Sequence, residues 1–211
     1  QRLGIQYMQA MQPGIVLKYL DGQEFHFHQE SMGLMAISGV LWDAALLLVD
    51  YFVHDKRING DNFCLGYVLD LGCGTGVAGI SALLLGADGV IFSDVADLEC
   101  SRENLAQLSP DLQDKVMDYI SYAWNETALP DAFTRIPVAC HKTVAANDCI
   151  ARELSTASKI SSASEESVVG SKVAGADLRI WDTLLCSDLL YEETYHSVLL
   201  SVLRRIRFRR A

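Results

Sequence analysis

The sequence predicts an α/β fold, a three-layer sandwich in which a mostly parallel sheet lies between helices. Three observations support this prediction: strands and helices alternate from residue 67 onward, a glycine-rich loop directly follows a buried strand, and an acidic residue ends the next strand. Parallel strands joined by helices produce this architecture with right-handed crossovers. Ligands of such sheets bind at the carboxyl ends of the strands, so the loop and the acid both lie where a ligand is expected.

The chain begins with a predicted β-hairpin. Two extended runs flank Asp21-Gly22, a dipeptide typical of a two-residue hairpin turn, and residues 15–38 form this N-terminal hairpin region. Apolar residues then recur at helical spacing and predict an amphipathic helix. They are Leu41, Ala44, Ala45, Leu48, Val49 and Phe52.

The central part of the chain, residues 63–129, carries the strand–helix alternation. The predicted elements are, in order, strand 67–71, helix 77–85, strand 90–93, helix 97–107 and a β-rich run at 116–122. Short runs of β-branched and aromatic residues indicate the strands, and apolar residues at helical spacing indicate the helices. These elements supply the first three parallel strands of the predicted sheet.

Residues 130–176 break this alternation. Their serine-rich stretch contains few bulky apolar residues, which is typical of a flexible insertion. A fourth strand is predicted within 178–187, followed by a helix, and together they form the region 177–207. The apolar face of that helix comprises Tyr195, Val198, Leu199, Val202, Leu203 and Ile206. The 211 residues therefore fit a single domain.

The loop after the first parallel strand has the composition of a ligand-binding turn. Gly72, Gly74 and Gly76 lack a Cβ, so the backbone can take positive φ and approach a ligand closely. The helix that follows directs its N-terminal N–H groups at whatever is bound. Asp94 ends the next strand, where a carboxylate can accept hydrogen bonds from both hydroxyls of a ribose.

Two cofactor classes compete for this loop. Residues 74–79 fit the G-x-G-x-x-G pattern of dinucleotide-binding enzymes, and Asp94 suits both classes. Asp70 separates them, because a carboxylate before the first glycine disfavours a pyrophosphate and favours the cationic sulfonium and ammonium of S-adenosylmethionine. The run Asp70-Leu-Gly-Cys-Gly-Thr-Gly76 resembles motif I of S-adenosylmethionine-dependent methyltransferases, which makes 63–129 a cofactor-binding core.

Further stretches resemble the seven-β-strand, Rossmann-like protein-lysine methyltransferases, the methyltransferase-like 21 group of family 16. Residues 39–45 resemble the N-terminal segment of that family, Trp124 occupies its tryptophan position after the third strand, and Asp188-Leu-Leu-Tyr191 matches its D-x-x-Y motif. The resemblance implies that Asp188 and Tyr191 are catalytic. It implies cofactor contacts, together with Asp70 and Gly76 of motif I, for Trp42, Gly72, Cys73, Gly74, Asp94, Trp124 and Ser187.

The activity implied by this resemblance is transfer of a methyl group from S-adenosylmethionine to a protein side chain, with a lysine ε-amine as the acceptor. Two alternatives remain open: a truncated, catalytically inactive binding module, and a small-molecule methyltransferase. The residues also have structural alternatives, since Trp42 and Trp124 could be core residues and Asp188 could cap the helix of residues 192–206.

The chain departs from the family pattern in two respects. Asn125 follows Trp124 where the family usually has glycine. The chain also ends after the helix that follows the fourth strand, so the C-terminal strands of the family fold, a fifth strand and an antiparallel pair, are expected to be missing. The fourth strand would then keep an exposed edge, which indicates a fragment, a truncated isoform or an interrupted gene model.

Charge and cysteine content restrict the partners. The net charge is −10 although residues 204–210 contribute five arginines, which we interpret as a solvated helix end. An acidic body argues against nucleic acid and favours a basic protein substrate, with plain solubility as an equal explanation. Six cysteines without metal-like spacing predict a reducing compartment, the cytoplasm and also the nucleus, and no metal site. No apolar run is long enough to predict a membrane span, and the oligomeric state is not indicated.

Overall fold

The computed structural model describes residues 14–18, 22–29, 37–95, 99–134, 180–190 and 193–210. Seven strands lie in these ranges: β1 (Gly14–Lys18), β2 (Glu24–His28), β3 (Tyr67–Leu71), β4 (Gly89–Asp94), β5 (Val116–Ser121), β6 (Trp181–Leu185) and β7 (Phe208–Arg210). The α-helices there are α1 (Asp43–Asn59), α2 (Val77–Leu84), α3 (Glu99–Ala106), α4 (Pro110–Gln113), α5 (Asp131–Thr134) and α6 (Glu193–Leu203). Short 3-10 turns at Ile37–Gly39 and Gly60–Asn62 flank α1.

The central sheet confirms the predicted α/β architecture. Its strands are ordered β5-β4-β3-β6-β7, and every neighbouring pair among the described strands is parallel. The order reverses at β3, which is the first strand of the sheet along the chain and pairs with β4 on one side and β6 on the other. The carboxyl ends of β3, β4 and β6 therefore meet at one edge of the sheet, the usual ligand position in this architecture.

Alternating side chains of β3 face two separate apolar cores. Val68 belongs to a core with α1, α2 and the hairpin, whereas Leu69 and Leu71 belong to a core with Trp181 of β6 and Val202 of α6. This alternation follows from the two-residue period of a strand. Because β3 is covered on both faces, it reads in the sequence as a nearly continuous apolar run interrupted only by an aspartate.

The N-terminal hairpin packs onto the core that contains α1 and α2. Strands β1 and β2 are antiparallel, as predicted, and Gly22 in the connecting turn has φ 80°. Phe25 and Phe27 are buried while the residues between and beside them on β2 are exposed, and the two rings lie 4.6 Å apart. Leu17 of β1 joins the same core. The hairpin thus covers one helical layer, and its two strands form a sheet separate from the central one.

The C-terminal end corrects one expectation. Instead of continuing a solvated helix, the arginine-rich segment turns after Leu203 and forms β7, which pairs in parallel with β6. Phe208 packs against the second core, and Arg209 donates to Asp182 at 2.8 Å. The predictions that β6 keeps an uncovered edge and that no fifth strand follows it were therefore wrong, because β7 pairs with that edge and Phe208 anchors it in the second core.

The remaining boundaries differ from the predicted ones by a few residues. The first helix extends to Asn59, and the fourth parallel strand is confined to Trp181–Leu185. Of the predicted insertion at 130–176, the structure describes the start, where Asp131–Thr134 form a helical turn, and residues 135–176 lie outside the described ranges. Among the described helices, none has both the length and the apolar composition required to cross a membrane.

Candidate functional site

A cavity of about 430 Å³ opens at the carboxyl edge of the central sheet. Its walls come from the loops after β3, β4, β5 and β6, from the segment leading into α1, and from the first turns of α6. The structure brings together most of the residues predicted for the cofactor site. Those that line the cavity are Trp42, Gly72, Cys73, Gly74, Asp94, Trp124, Ser187 and Asp188.

Asp94 closes the glycine loop against the end of β4. Its Oδ2 accepts a hydrogen bond from the Gly74 N–H at 2.9 Å, and its Oδ1 accepts one from the Val95 N–H at 2.8 Å. The side chain is 5% exposed and lines the cavity. Each carboxylate oxygen can accept more than one hydrogen bond. Asp94 can therefore shape the loop and also bind hydroxyl groups of a ligand.

The glycine loop lies close to its neighbours on two sides. Gly72 and Gly74 have φ of 68° and 53°, in the left-handed region. A Cβ on Gly74 would lie 2.8 Å from the Ser38 carbonyl oxygen, and one on Gly72 would meet the Leu189 side chain. A further hydrogen bond holds the loop: the Cys73 N–H donates to the Ser93 carbonyl oxygen at 2.9 Å. Only glycine fits this path of the backbone.

Two tryptophans line the cavity. Trp42 precedes α1 and is 38% exposed. Trp124 follows β5 and lies near Gly72, its Cζ2 atom 3.4 Å from the position of a Cβ on that glycine. Trp124 also packs against the second core. It is therefore in part a core residue, as its structural alternative predicted, and it also lines the cavity. Both indoles offer apolar faces to a planar ligand.

Asp70 and Gly76 were predicted to contact the cofactor, but they are not among the cavity-lining residues. Asp70 is fully buried beneath the loop, where its Oδ2 accepts a hydrogen bond from the Gly79 N–H at 2.8 Å. Its Oδ1 has no hydrogen-bond partner among the described residues. Gly76 is the N-cap of α2, with φ 79°. In this structure both residues support the loop from behind.

Burial raises the pKa of Asp70 to about 7, with the Gly79 N–H opposing this shift and the charge of Asp94 adding to it. The folded protein thus holds this proton more tightly than the unfolded chain, whose aspartates have a pKa near 3.8. The contribution of Asp70 to the free energy of unfolding is fully present below about pH 4 and is lost as the pH rises through 7.

We therefore expect Asp70→Asn to reduce the loss of stability between pH 5 and pH 8. The difference between the two proteins over this range should be about 2–3 kcal/mol, because the Asp70 carboxyl of the unfolded chain is already mostly ionised at pH 5. Urea unfolding at both pH values measures it, and other carboxylates cancel in the comparison. A wild-type protein and an Asp70→Asn variant with parallel pH profiles would contradict the raised pKa.

Cys73 lines the cavity as a thiol. Burial raises its pKa well above the ordinary value, and the charges of Asp70 and Asp94 raise it further. The Sγ atom lies 3.9 Å from the Tyr119 hydroxyl. A thiol in this environment is a poor nucleophile, so Cys73 is a small apolar wall residue.

The predicted D-x-x-Y motif is described in part. Asp188 lines the cavity, and its Oδ2 accepts a hydrogen bond from the Ala44 N–H of α1 at 3.2 Å. Desolvation by burial raises the pKa of Asp188, while the N–H groups of Ala44 and Ala45 oppose this shift and the charge of Asp43 adds to it. The alternative role as a helix cap is thus present, but on α1 and not on the helix that follows. Tyr191 lies outside the described residues.

Sequence reasoning missed several residues that complete the cavity. Beyond the predicted set, its walls include Ser38, Val40, Ala45, Thr75, Val77, Val95, Tyr122, Ala123, Asn125, Leu189, Thr194, Tyr195 and Val198. Most of them directly follow a strand or begin a helix. Their position at the carboxyl edge of the sheet is the signal from which they could have been predicted. Tyr195 and Val198 were predicted only as apolar residues of the last helix.

A buried amide connects the hairpin to the glycine loop. Asn104 on α3 is fully buried, and its Oδ1 accepts from the His28 N–H at 2.7 Å. Its Nδ2 donates to the carbonyl oxygens of His28 at 3.0 Å and of Thr75 at 2.9 Å. One side chain thereby fixes β2 and the backbone of the ligand loop at the same time.

We expect Asn104→Ala to destabilise the protein by about 2–4 kcal/mol, because it removes a buried hydrogen bond to the Thr75 carbonyl and two partly buried ones to the His28 backbone. Cofactor affinity should fall as well, since the Thr75 carbonyl is released. Thermal unfolding and ligand titration measure the two effects. Glu103→Ala is the matched control: Glu103 lies 3.8 Å from His28 on the exposed side of the same helix, where an ion pair contributes at most about 1 kcal/mol. Equal effects of the two variants would contradict the role of the amide.

No group of three or more histidine, cysteine or acidic side chains in the described ranges is arranged to hold a metal ion. The lining of the cavity includes a carboxylate acceptor, the backbone of the glycine loop and two tryptophans. Such a lining suits an organic ligand that carries hydroxyl groups and a flat ring system.

Comparison with known proteins places these features in context. A sequence model of the lysine methyltransferase family matches residues 19–165, more than half of the chain. The mouse protein EEF1A lysine methyltransferase 3 is 34% identical over 84 residues, which cover 40% of this chain and 34% of that protein. The zebrafish (Danio rerio) protein N-lysine methyltransferase METTL21A is 31% identical over 93 residues, which cover 44% of this chain and 40% of that protein.

The match thus spans about a third to two fifths of the length of these relatives. Among solved structures, a candidate RNA methyltransferase, PH1948 from Pyrococcus horikoshii, has 22% sequence identity and a TM-score of 0.30, covering 45% of this chain and 54% of that one. A similarity at that level does not bear on function.

Proposed function

Because the chain belongs to the lysine methyltransferase family, we propose that it binds S-adenosylmethionine and transfers a methyl group to a lysine ε-amine of a protein. The observation that supports this most directly is the position of Asp94. Its carboxylate closes the glycine loop inside the cavity, where motif I and the acid of the next strand were predicted to meet.

The residues of the cavity fit the proposed cofactor. Asp94 would accept hydrogen bonds from the ribose hydroxyls, and the faces of Trp124 and Trp42 would pack on apolar and aromatic parts of the ligand. The glycine loop leaves room that a Cβ at Gly74 would fill. Asp70 lies behind the loop. A cationic ligand in the cavity would favour the ionised, negatively charged form of this carboxyl.

S-adenosylmethionine, when bound, supplies a methyl group on a sulfonium that a neutral amine can take. The chain's part in this reaction is to deliver the amine without its proton and without water. A lysine ammonium has a pKa near 10.4, and apolar surroundings lower that pKa because they disfavour the charged form. Val40, Trp42, Leu189 and Val198 supply such surroundings. Alignment of the amine and exclusion of water would then contribute most of the rate.

The proposed partner is a protein with an accessible lysine, as the names of the two relatives indicate for those proteins. The net charge of −10 favours a lysine in a basic segment, since opposite charges steer association. Asp188 and Tyr191 remain the residues predicted to act where the methyl donor meets the lysine, and Ser187 remains a predicted cofactor contact.

Calorimetric titration of the 211-residue chain with S-adenosylmethionine tests the cofactor, with NAD as the competing class. We expect saturable binding of S-adenosylmethionine and none of NAD. Incubation with an extract and tritium-labelled S-adenosylmethionine, followed by acid hydrolysis of the protein fraction, tests the acceptor, and label in methyl-lysine is the expected result.

The outcomes separate the alternatives. Binding of NAD alone would overturn the methyltransferase proposal in favour of a dinucleotide enzyme. Binding of S-adenosylmethionine with no transfer to any protein would favour the inactive binding module. Tritium found only in small molecules would favour the alternative of a small-molecule methyltransferase.

A further inference from the structure

The first turn of α1 has no capping side chain of its own. Trp42 occupies the N-cap position in an extended conformation, with φ −94° and ψ 152°, and its side chain makes no capping hydrogen bond. The first N–H groups of a helix have no partner within the helix and require an acceptor from elsewhere. This turn matters for the ligand because it carries Trp42 and Ala45, which both line the cavity.

Asp188 supplies the missing acceptor from a distant part of the chain. Its Oδ2 accepts from the Ala44 N–H at 3.2 Å, across 144 residues of sequence, and the Ala45 N–H acts on the same carboxylate. The geometry is that of a helix cap delivered by the loop after β6. A negative charge at this position also interacts favourably with the positive end of the helix dipole.

The backbone at Asp188 is adapted to this contact. Its φ is 55°, the only positive value among the described residues other than glycine. Such residues adopt the left-handed region at a cost that persists where surrounding contacts require it. The next residue, Leu189, packs where a Cβ on Gly72 would lie. This turn therefore directs one side chain to α1 and the next to the glycine loop.

We propose that Asp188 is a positioning residue whose carboxylate caps α1 and thereby holds Trp42 and Ala45 in the cofactor-side wall. This inference rests on the proposed function, since it names how the same cavity is held together. It differs from the predicted catalytic role, in which the charge of Asp188 acts on the lysine. In the role proposed here the hydrogen-bond acceptor matters, and the charge is secondary.

Asparagine and glycine substitutions separate these two roles. Both residues tolerate a positive φ, so the backbone at position 188 is preserved in each variant. Asp188→Asn keeps an oxygen acceptor and loses the charge, and asparagine caps helices about as well as aspartate. Asp188→Gly loses both. Asp43→Asn removes a neighbouring charge from the same helix turn and is the matched control.

Hydrogen exchange and ligand affinity are the two measurements. In Asp188→Gly we expect faster exchange of the Ala44 and Ala45 amides with little change elsewhere, and roughly tenfold weaker binding of both S-adenosylmethionine and S-adenosylhomocysteine, within the about 2- to 30-fold range for loss of one cap. Asp188→Asn should restore the slow exchange and keep both affinities within about threefold of the wild type. Asp43→Asn should resemble the wild type.

Three results would overturn the proposal. One is unchanged amide exchange and affinity in Asp188→Gly. Another is an Asp188→Asn variant as defective as Asp188→Gly. The third is an Asp188 variant that binds cationic S-adenosylmethionine more weakly but binds neutral S-adenosylhomocysteine like the wild type. That result would show a charge contact with the ligand. If Asp188→Gly fails to fold, Asp188→Asn is compared with the wild type: slow amide exchange with affinities within about threefold supports the proposal, and fast exchange or a larger loss of affinity for either ligand overturns it. A wild-type chain that binds neither ligand contradicts the proposed function instead, and amide exchange then still reports on the cap.

Discussion

Asp94→Ala is expected to weaken the binding of S-adenosylmethionine by at least about 100-fold. The carboxylate would lose its hydrogen bonds to the ribose hydroxyls, and hydrogen bonds to a charged acceptor contribute about 1.5–3 kcal/mol each. The same substitution also releases the Gly74 N–H, which now donates at 2.9 Å to the buried Asp94 carboxylate. Ligand contacts and the shape of the loop are therefore lost together.

Calorimetry with S-adenosylmethionine measures this effect, and circular dichroism verifies that the variant is folded. Asp114→Ala is a suitable control, because Asp114 is an exposed acid after α4 that is not among the cavity-lining residues. It should retain the wild-type affinity. A folded Asp94→Ala protein with unchanged affinity would exclude Asp94 from the cofactor site, whatever the family relationship of the chain.

The elements around the cavity could be predicted closely from sequence because each has a strong local signal. The strand Tyr67–Leu71 was predicted with the bounds that the structure gives it. It is a continuous apolar run with a glycine loop at its end, a pattern that a parallel strand covered on both faces requires. The loop and Asp94 then meet because parallel strands align their carboxyl ends.

The strand Phe208–Arg210 could not be predicted in the same way. Its residues carry one apolar side chain among arginines, and periodicity over three residues gives no signal. What makes it a strand is the available edge of Trp181–Leu185, with which it pairs, and the ion pair of Arg209 with Asp182. Both partners lie far away in sequence, so this element depends on tertiary structure.

Contacts across the chain also explain what the sequence left open within the site. Motif reasoning placed Asp70 next to the ligand, but it could not show that the strand directs this side chain towards α2, where it accepts from Gly79. It named a helix cap as an alternative for Asp188, yet the N–H that this residue caps, on Ala44 of α1, lies 144 residues earlier. Asn104 carried no motif, and its role follows from partners 76 and 29 residues away.

These long-range bonds have a common consequence for the cavity. Asp188 connects the last loop of the site to α1, and Asn104 connects the hairpin to the glycine loop. Both are single polar side chains that serve backbone groups on a distant element. Because a buried polar group without a partner costs about 1–3 kcal/mol, each contact specifies one arrangement of the walls more strongly than apolar packing alone.

Gly74→Ala is expected to destabilise the protein by about 2–5 kcal/mol and to weaken cofactor binding by at least about tenfold. An alanine at positive φ costs about 1–2 kcal/mol, and the overpacked Cβ adds about 1–3 kcal/mol. That Cβ would lie 2.8 Å from the Ser38 carbonyl oxygen, a backbone atom that cannot rotate away. Relief requires movement of the loop, which disrupts the hydrogen bond from the Gly74 N–H to Asp94.

Gly60→Ala tests a positive φ without a steric clash. Gly60 has φ 52° and ψ −122°, a conformation that alanine adopts only under strain, but a Cβ there meets no atom within 4 Å. We therefore expect Gly60→Ala to lose only the conformational part, about 1–3 kcal/mol, with unchanged cofactor affinity. Urea unfolding and calorimetry on both variants measure the two effects. If the two substitutions cost the same and Gly74→Ala still binds S-adenosylmethionine normally, then close packing against Ser38 does not shape the cofactor loop, and the loop's glycines serve conformation alone.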